Sequence, residues 1–511
     1  MGAGTMRAII LSVFLALVAV PASAAPGDAE KGEAIYAKRC ILCHGEEGDG
    51  QGPAAERLNP PPRDFTLGQY KIKTTAFDDD IPNDADIFRM IADGMPGTAM
   101  PRWRDVLSEQ DMWDLVAYLK TFAGLEEEAP EKQVDYGTQV ASSPESIAKG
   151  KALFLDGDRC SECHGQEGKG DAVKKLKDDE GNRTWPRNLT KPWTFRASND
   201  PKDVFTRISV GIPGTQMPSF ADPVSKKKLG IEDRWHIANY VSSLAKTKKV
   251  VRGGNTVVKA DKVDGNVPQD PDDPRWEESE PSTFFLVPQI LAKNRFFTPS
   301  NDTITLRALY DDSTIAILLE WDDRTRSIPG DPDAEKIADP GMAEDSVAIQ
   351  FPVTLPSGME KPYFGMGDAT RPVNLWQWKS GTKETPERVA LLNGRGFEQI
   401  EKRDAEEVGV RAKGRYRAGT WRVVMTRPLT TADPERDIQF VEGKFIPVAF
   451  AAWDGSNGEA KSKHTMTTWY WLLLKPPTGA RPIVFALAVV LLILGAEVWW
   501  ARSARRTAAA A

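Results

Sequence analysis

Two stretches of this 511-residue chain decide its reading: Cys40-Ile41-Leu42-Cys43-His44 and Cys160-Ser161-Glu162-Cys163-His164. Together they use all 4 cysteines of the chain. Two thiols three positions apart reach the two vinyl groups of one porphyrin, and the imidazole that follows then lies beneath the iron as its proximal ligand. Cys40, Cys43, Cys160 and Cys163 therefore read as attachment points for two covalent haems c, with His44 and His164 as iron ligands. Two disulfides would leave both histidines unexplained. A redox dithiol would not need a histidine after each pair.

Each motif opens one copy of a repeat. Ile87-Phe88-Arg89-Met90-Ile91 leads into Gly94-Met95-Pro96-Gly97-Thr98-Ala99-Met100-Pro101, and Val204-Phe205-Thr206-Arg207-Ile208 leads into Gly211-Ile212-Pro213-Gly214-Thr215-Gln216-Met217-Pro218. Helical patterns with an aromatic face follow, Met112 to Leu119 and Trp235 to Val241. Two tandem domains are expected, at 26–125 and 147–246, with the acidic stretch 126–146 as linker. Met100 and Met217 hold matching places and are the expected sixth ligands; a thioether closes the iron to substrates and suits electron transfer. Met95 is matched by Ile212 and reads as packing. His236 stands where the first copy has Asp114 and reads as a non-ligand. These motifs closely resemble the class I cytochrome c family, and the resemblance implies an all-α fold around each haem.

After Lys249 the apolar period changes to two. Thr303 to Tyr310, Thr314 to Trp321, Ser346 to Phe351, Trp421 to Arg427 and Phe445 to Trp453 alternate, with Pro-Gly and Asp-Gly between runs, which predicts an antiparallel sandwich or barrel over 250–476, taken here as an all-β sandwich. This part has no cysteine and one histidine, His464, so covalent haem and a multi-histidine metal site are excluded. Asp273-Pro274-Arg275-Trp276, Asp345 to Pro352, the turn Phe364-Gly365-Met366-Gly367-Asp368 with Asn374-Leu375-Trp376-Gln377-Trp378, and Phe450 to Gly455 resemble the haem b domain of the ethylbenzene dehydrogenase gamma subunit. The resemblance implies one non-covalent haem b between a methionine and a lysine, and electrons received from a molybdopterin oxidoreductase. Met366 fits the methionine; Lys463 is the expected lysine, with Lys461 and His464 as alternatives.

The ends carry address signals. Arg7, the apolar run Ala8 to Val20 and Ala22-Ser23-Ala24 read as a signal peptide over 1–24. Pro482 to Ala501 reads as a transmembrane helix at 482–501, with Trp499 and Trp500 at an interface and Arg502, Arg505 and Arg506 behind it. The expected architecture is multidomain: two all-α cytochrome c domains, an all-β sandwich and a C-terminal single-pass anchor, with the body on the periplasmic face and a short cytoplasmic tail. The net charge of −7 argues against nucleic acid. The leading reading is an electron-transfer subunit relaying electrons between a molybdopterin oxidoreductase and a respiratory acceptor, rather than an enzyme. The alternatives are a di-haem oxidase or peroxidase, and a di-haem cytochrome with a carbohydrate-binding or docking β-domain. Cys40→Ala/Cys43→Ala is expected to lose about half of the haem stain on denaturing gels, because a thioether survives denaturation; an unchanged signal would refute the attachment.

Overall fold

The computed structural model describes residues 27–58, 60–157, 159–171, 175–181, 183–245, 256–293, 295, 299–338, 341–357, 360–477 and 481–508. The expected signal peptide at 1–24 lies outside them. The chain forms two compact units, one of Met1–Gly137, Trp193–Ser198 and Thr206–Lys228, the other of Thr138–Pro192, Asn199–Phe205 and Leu229–Ala511.

The first unit holds α1 (Ala29–Arg39), α2 (Ile41–His44), α3 (Asp84–Asp93) and α4 (Glu109–Thr121). Asp28 caps α1 by accepting from the Glu30 and Lys31 amides, and Ser108 with Asp111 closes a capping box on α4. Tyr36, Ile87, Ile91, Met112, Leu115, Val116 and Leu119 form the core. Helices α1 and α4 cross so closely that a Cβ on Gly32 would lie 2.1 Å from the Asp114 carbonyl oxygen. Phe88 stacks on Trp113 at 4.4 Å.

The second copy of the repeat supplies α5 (Pro144–Leu155), α6 (Ser161–His164), α7 (Pro201–Val210) and α8 (Ile231–Leu244). Its crossing reproduces the first: a Cβ on Gly150 would lie 2.0 Å from the His236 carbonyl oxygen, and Phe205 stacks on Trp235 at 4.3 Å. His236 is buried between the Ser146 hydroxyl at 2.8 Å and Glu232 at 3.2 Å, so it is a packing histidine. The all-α expectation needs one correction. A short antiparallel pair, β1 (Leu176–Lys177) with β2 (Arg183–Thr184), lies in the longer loop after α6.

The remainder of the second unit is a 14-stranded sheet. Its strands are β3 (Val257–Lys262), β4 (Ser282–Phe285), β5 (Val287–Pro288), β6 (Thr303–Tyr310), β7 (Thr314–Asp322), β8 (Ser346–Pro352), β9 (Val373–Lys379), β10 (Arg388–Gly394), β11 (Ile400–Arg403), β12 (Arg411–Arg417), β13 (Thr420–Pro428), β14 (Phe445–Trp453), β15 (Thr465–Met466) and β16 (Tyr470–Leu474). The main order is β11-β10-β9-β8-β14-β16-β3-β6-β7-β13-β12. Strand β14 joins the two halves: Phe445–Val448 pair with β16, and Ala449–Trp453 with β8. Strands β9 and β13 are far apart in this order, yet Trp378 meets Trp421 at 4.9 Å and Trp321 of β7 at 6.2 Å. The sheet therefore curls until its apolar faces meet. The antiparallel expectation holds for the other strand pairs, but β3 enters between β16 and β6 and runs parallel to both.

A short helix, α9 (Pro332–Glu335), lies between β7 and β8, and a long one, α10 (Arg481–Ala508), ends the described chain. The expected transmembrane helix is not supported: among the described residues no helix is long and apolar enough to cross a membrane. The single-pass anchor and the membrane contact it implied are withdrawn with it.

Trp378→Ala is expected to destabilise the β-domain by about 3–5 kcal/mol, since it empties a fully buried ring site. Ile400→Ala on exposed β11 is expected to stay within about 0.5 kcal/mol. Denaturant unfolding followed by tryptophan fluorescence separates the two.

Candidate haem-binding sites

Cys40, Cys43 and His44 share one helical turn, with the Cys43 and His44 amides donating to the Cys40 carbonyl at 3.1 and 2.9 Å. Gly45, at φ 80°, ends the turn, and its carbonyl accepts from the Tyr36 hydroxyl at 2.8 Å. No disulfide joins the cysteines. Burial, and then Cys43, push the Cys40 thiol up to about 12, which removes the thiolate that a redox dithiol requires.

The His44 ring is held from below. Nδ1 lies 3.0 Å from the Arg63 carbonyl oxygen. A carbonyl only accepts, so Nδ1 carries the proton and Nε2 keeps its lone pair, the tautomer a metal-ligating histidine adopts. Phe65 stacks on the ring at 4.6 Å and fixes its plane. Burial lowers the His44 pKa, which keeps that lone pair available. The Tyr70 hydroxyl and Trp113 Nε1 are buried without a hydrogen-bond partner, a sign that this core is shaped for a polar group beyond its own side chains.

The second motif repeats the backbone turn and the histidine bond. Cys163 and His164 amides donate to the Cys160 carbonyl at 3.1 and 2.8 Å, and His164 Nδ1 donates to the Arg187 carbonyl at 3.0 Å. Burial lowers the His164 pKa as well. The chain separation is 19 residues for the first bond and 23 for the second, which reflects the β1–β2 insertion. Arg63 and Arg187 act through their backbones, so no side-chain pattern could have announced them.

The two methionine loops are also copies. Met95 N donates to Met100 O at 3.1 Å; the Thr98 hydroxyl donates to Met95 O at 2.6 Å and accepts from Met100 N at 3.1 Å. In the other loop Ile212 N donates to Met217 O at 3.1 Å, while the Thr215 hydroxyl donates to Ile212 O at 2.8 Å and accepts from Met217 N at 3.2 Å. Gly94 and Gly211 have φ of 70° and 76°, and a Cβ on either would strike the Pro101 or Met217 backbone at 2.6 Å. Met100 and Met217 are half-buried. His44 and Met100 share the first unit. His164 belongs to the second unit and Met217 to the first.

In the β-domain Met366 occupies the β8–β9 connection with φ 70°, a left-handed conformation that costs a non-glycine residue about 1–3 kcal/mol. Its carbonyl accepts from Gly396 N at 2.8 Å, and a Cβ on Gly394 would lie 2.7 Å from that oxygen. The Phe364 carbonyl beside it accepts from the Gln350 amide at 2.8 Å, tying the turn to β8. Lys461, Lys463 and His464 lie on the β14–β15 connection. Lys461 and Lys463 are exposed; Lys461 has φ 54°, and its carbonyl accepts from Trp453 Nε1 at 2.9 Å and His464 Nδ1 at 3.1 Å. His464 packs on Trp453 at 4.6 Å, and burial lowers its pKa to about 4.

Comparison with known proteins follows the same division. Residues 27–119 match the family described as cytochrome C oxidase, cbb3-type, subunit III, and 147–245 match cytochrome c. Residues 273–409 and 391–465 match the ethylbenzene dehydrogenase family. Two cytochrome c domains precede an ethylbenzene dehydrogenase-type domain in this chain. The cytochrome c domains are of the kind that carries covalent haem c. A putative respiratory nitrate reductase heme subunit of Haloferax mediterranei is 29% identical over 183 residues, 36% of this chain and 60% of that protein. The chlorate reductase subunit gamma of Ideonella dechloratans is 26% identical over 179 residues, 34% of this chain and 66% of that protein. The chain thus spans less than two thirds of the length of either curated relative. A reducing HAO-like protein complex of Kuenenia stuttgartiensis is 38% identical, with a TM-score of 0.40, covering 43% of this chain and 97% of that one.

Thr98→Val removes both hydroxyl bonds of the first methionine loop at nearly constant volume, at about 1 kcal/mol per bond. The near-infrared thioether-to-iron band is expected to disappear at lower guanidinium concentration in this variant, and Thr215→Val to act likewise on the second loop. An unchanged titration would mean that the hydroxyls do not position the methionines.

Proposed function

We propose that this chain is a periplasmic electron-transfer subunit that binds two haems c and one haem b. In this reading it relays electrons between a molybdopterin oxidoreductase and a respiratory acceptor. The observation that carries the reading is the duplicated histidine geometry, in which each Nδ1 is spent on a backbone carbonyl and each Nε2 is left to a metal. Bound haem supplies reversible one-electron chemistry. His44 and Met100 are one ligand pair of the proposal, and His164 and Met217 are iron ligands in it as well. The threonine-tied loops hold the thioethers in place, which supports closed, electron-transferring irons over a di-haem oxidase or peroxidase. The relatives named as a heme subunit of a nitrate reductase and a gamma subunit of a chlorate reductase support the assignment to an oxidoreductase complex. The apolar run and Ala22-Ser23-Ala24 near the first residue support export.

For haem b the proposal places Met366 on one side and Lys463 on the other. A left-handed methionine, held by Gly396 and approached by Gly394, is strain of the kind that accumulates at ligand sites. A lysine ligand must be neutral, against a reference pKa of about 10.4. His464 is the competitor, because burial already keeps its ring neutral down to about 4. The two ligands differ in sign-defined pH behaviour: protons compete earlier for the amine, so lysine ligation fails first as pH falls.

The test is a haem count on the purified full-length chain by pyridine haemochrome and mass spectrometry. Two c and one b are expected, with the b component lost in Met366→Ala and Lys463→Ala. Loss in His464→Ala with retention in Lys461→Ala and Lys463→Ala would move the ligand to histidine. Two c without b would favour a docking or carbohydrate-binding β-domain, and an open-coordinate signal would favour the peroxidase reading.

A further inference from the structure

Three strand ends of the β-domain deliver carboxylates to one buried place. Asp323 follows β7, Asp345 precedes β8 and Asp454 follows β14. One carboxylate oxygen from each lies within 4.8 Å of the other two, and all three residues are buried. Among the described residues none of the three makes an ion pair with lysine or arginine.

The hydrogen bonds account for most of these oxygens but leave one over. Asp345 accepts from Gly455 N at 2.9 Å on Oδ1, and from Ser327 N at 2.6 Å and Trp421 Nε1 at 2.9 Å on Oδ2. Asp454 accepts on Oδ1 from Ser456 N at 2.9 Å, the Ser456 hydroxyl at 2.7 Å and Asn457 N at 3.3 Å, and on Oδ2 from the Ser300 hydroxyl at 2.5 Å. Asp323 accepts on Oδ1 from Thr325 N at 3.1 Å, but its Oδ2 has no partner although the residue is only 3% exposed. Asn301, next to Ser300 and 1% exposed, likewise has neither amide atom partnered. Glu459 adds a fourth buried carboxyl, bonded to Asp454 N at 3.1 Å and Asn457 Nδ2 at 3.0 Å. A buried carboxylate oxygen without a donor is costly, and three such groups in contact repel.

We propose that Asp323, Asp345 and Asp454 bind a divalent hard cation, Ca²⁺ in the first instance, with the orphan Asp323 Oδ2 as its unshared ligand. The donor set is oxygen only, which suits Ca²⁺, Mg²⁺ or Mn²⁺ and not the softer metals that seek imidazole or thiolate. The turn Asp454-Gly455-Ser456-Asn457-Gly458-Glu459 is built tightly enough to present Asp454 in one orientation. A Cβ on Gly455 would lie 2.0 Å from the Ala343 carbonyl oxygen. The bound ion would clamp the ends of β7, β8 and β14, and so stiffen the connection that carries Lys461 to His464.

The test uses the purified, haem-loaded full-length chain. Elemental analysis of the protein as isolated is expected to show one Ca²⁺ per chain. After chelation, calorimetric titration with Ca²⁺ should restore one equivalent and raise the thermal midpoint. Asp323→Asn keeps the Thr325 bond through its amide oxygen, and Asp454→Asn can still meet the Ser300 hydroxyl. Each is expected to weaken binding by roughly 10-fold or more, the scale that ligand-supporting changes reach. Haem staining of each variant verifies that the chain has matured. Mg²⁺ or Mn²⁺ at the same stoichiometry, with the same dependence on Asp323, would support the site with a different ion. A mature wild-type chain holding no divalent ion, with a midpoint unmoved by any of the three, would overturn the proposal. So would Ca²⁺ binding undiminished in both variants.

Discussion

The bond from a histidine Nδ1 to a backbone carbonyl is the constraint on which both cytochrome domains depend. At His44 and again at His164 it lies at 3.0 Å and leaves one nitrogen, on one side of the ring, able to take a metal. Several features serve that single orientation. The turn that carries the cysteines closes on a left-handed glycine, Gly45 or Gly165, and the return chain then brings Arg63 or Arg187 under the ring. The tight crossings at Gly32 and Gly150 fix the helix that precedes each motif against the one that ends the domain. A bulkier residue at either glycine would push those two helices apart.

The second histidine loop is also a structural joint within its unit. Arg187, which accepts the His164 proton, is followed by Asn188, whose amide reaches Asp322 of β7 at 3.3 Å. Lys191 is buried between Asp302 at 2.6 Å and Asp322 at 3.6 Å. Burial pulls its pKa down, but the two carboxylates outweigh that and the net direction is upward, so the ammonium stays charged. Lys169 adds a bond to the Thr420 hydroxyl at 2.6 Å, and Arg183 one to the Ile337 carbonyl at 2.7 Å. Removing one partner of a buried pair leaves a charge without compensation, a larger loss than the pair's own net worth. The segment bearing the His164 acceptor is thus fastened to the β-sheet by charge and hydrogen bonds.

Much of this was legible because it is local. Cys-x-x-Cys-His and Gly-Thr-x-Met-Pro are contiguous, and the loop network around Thr98 and Thr215 lies inside a single motif. Alternation located β6 at Thr303–Tyr310 and β14 at Phe445–Trp453 residue for residue. What escaped is non-local. The parallel placement of β3 depends on partners about 50 and about 210 residues away, which no period can reveal. The aromatic stripe Trp376-Gln377-Trp378 reads as core and is core, but its meeting with Trp321 and Trp421 follows from the curl of the sheet.

The buried carboxylates belong to the same non-local class, and their placement says why they persist. Asp323 sits one residue beyond Asp322, the acceptor of Asn188 and Lys191, so the acidic cluster and the cytochrome joint share the end of β7. Arg324, the next residue, lies over Trp185 at 5.3 Å, and Arg183 covers the other contact of that ring at 4.1 Å. Charge at Asp323 is therefore one residue from each side of the joint. Replacing the cluster with apolar side chains would be the simpler way to fill a core. It would also remove the negative field that Asp454 and Asp323 exert on Arg324, which opposes the lowering of its pKa by burial. The strand end works as a charged hub, acidic at Asp323 and basic and aromatic at Arg324 and Trp185.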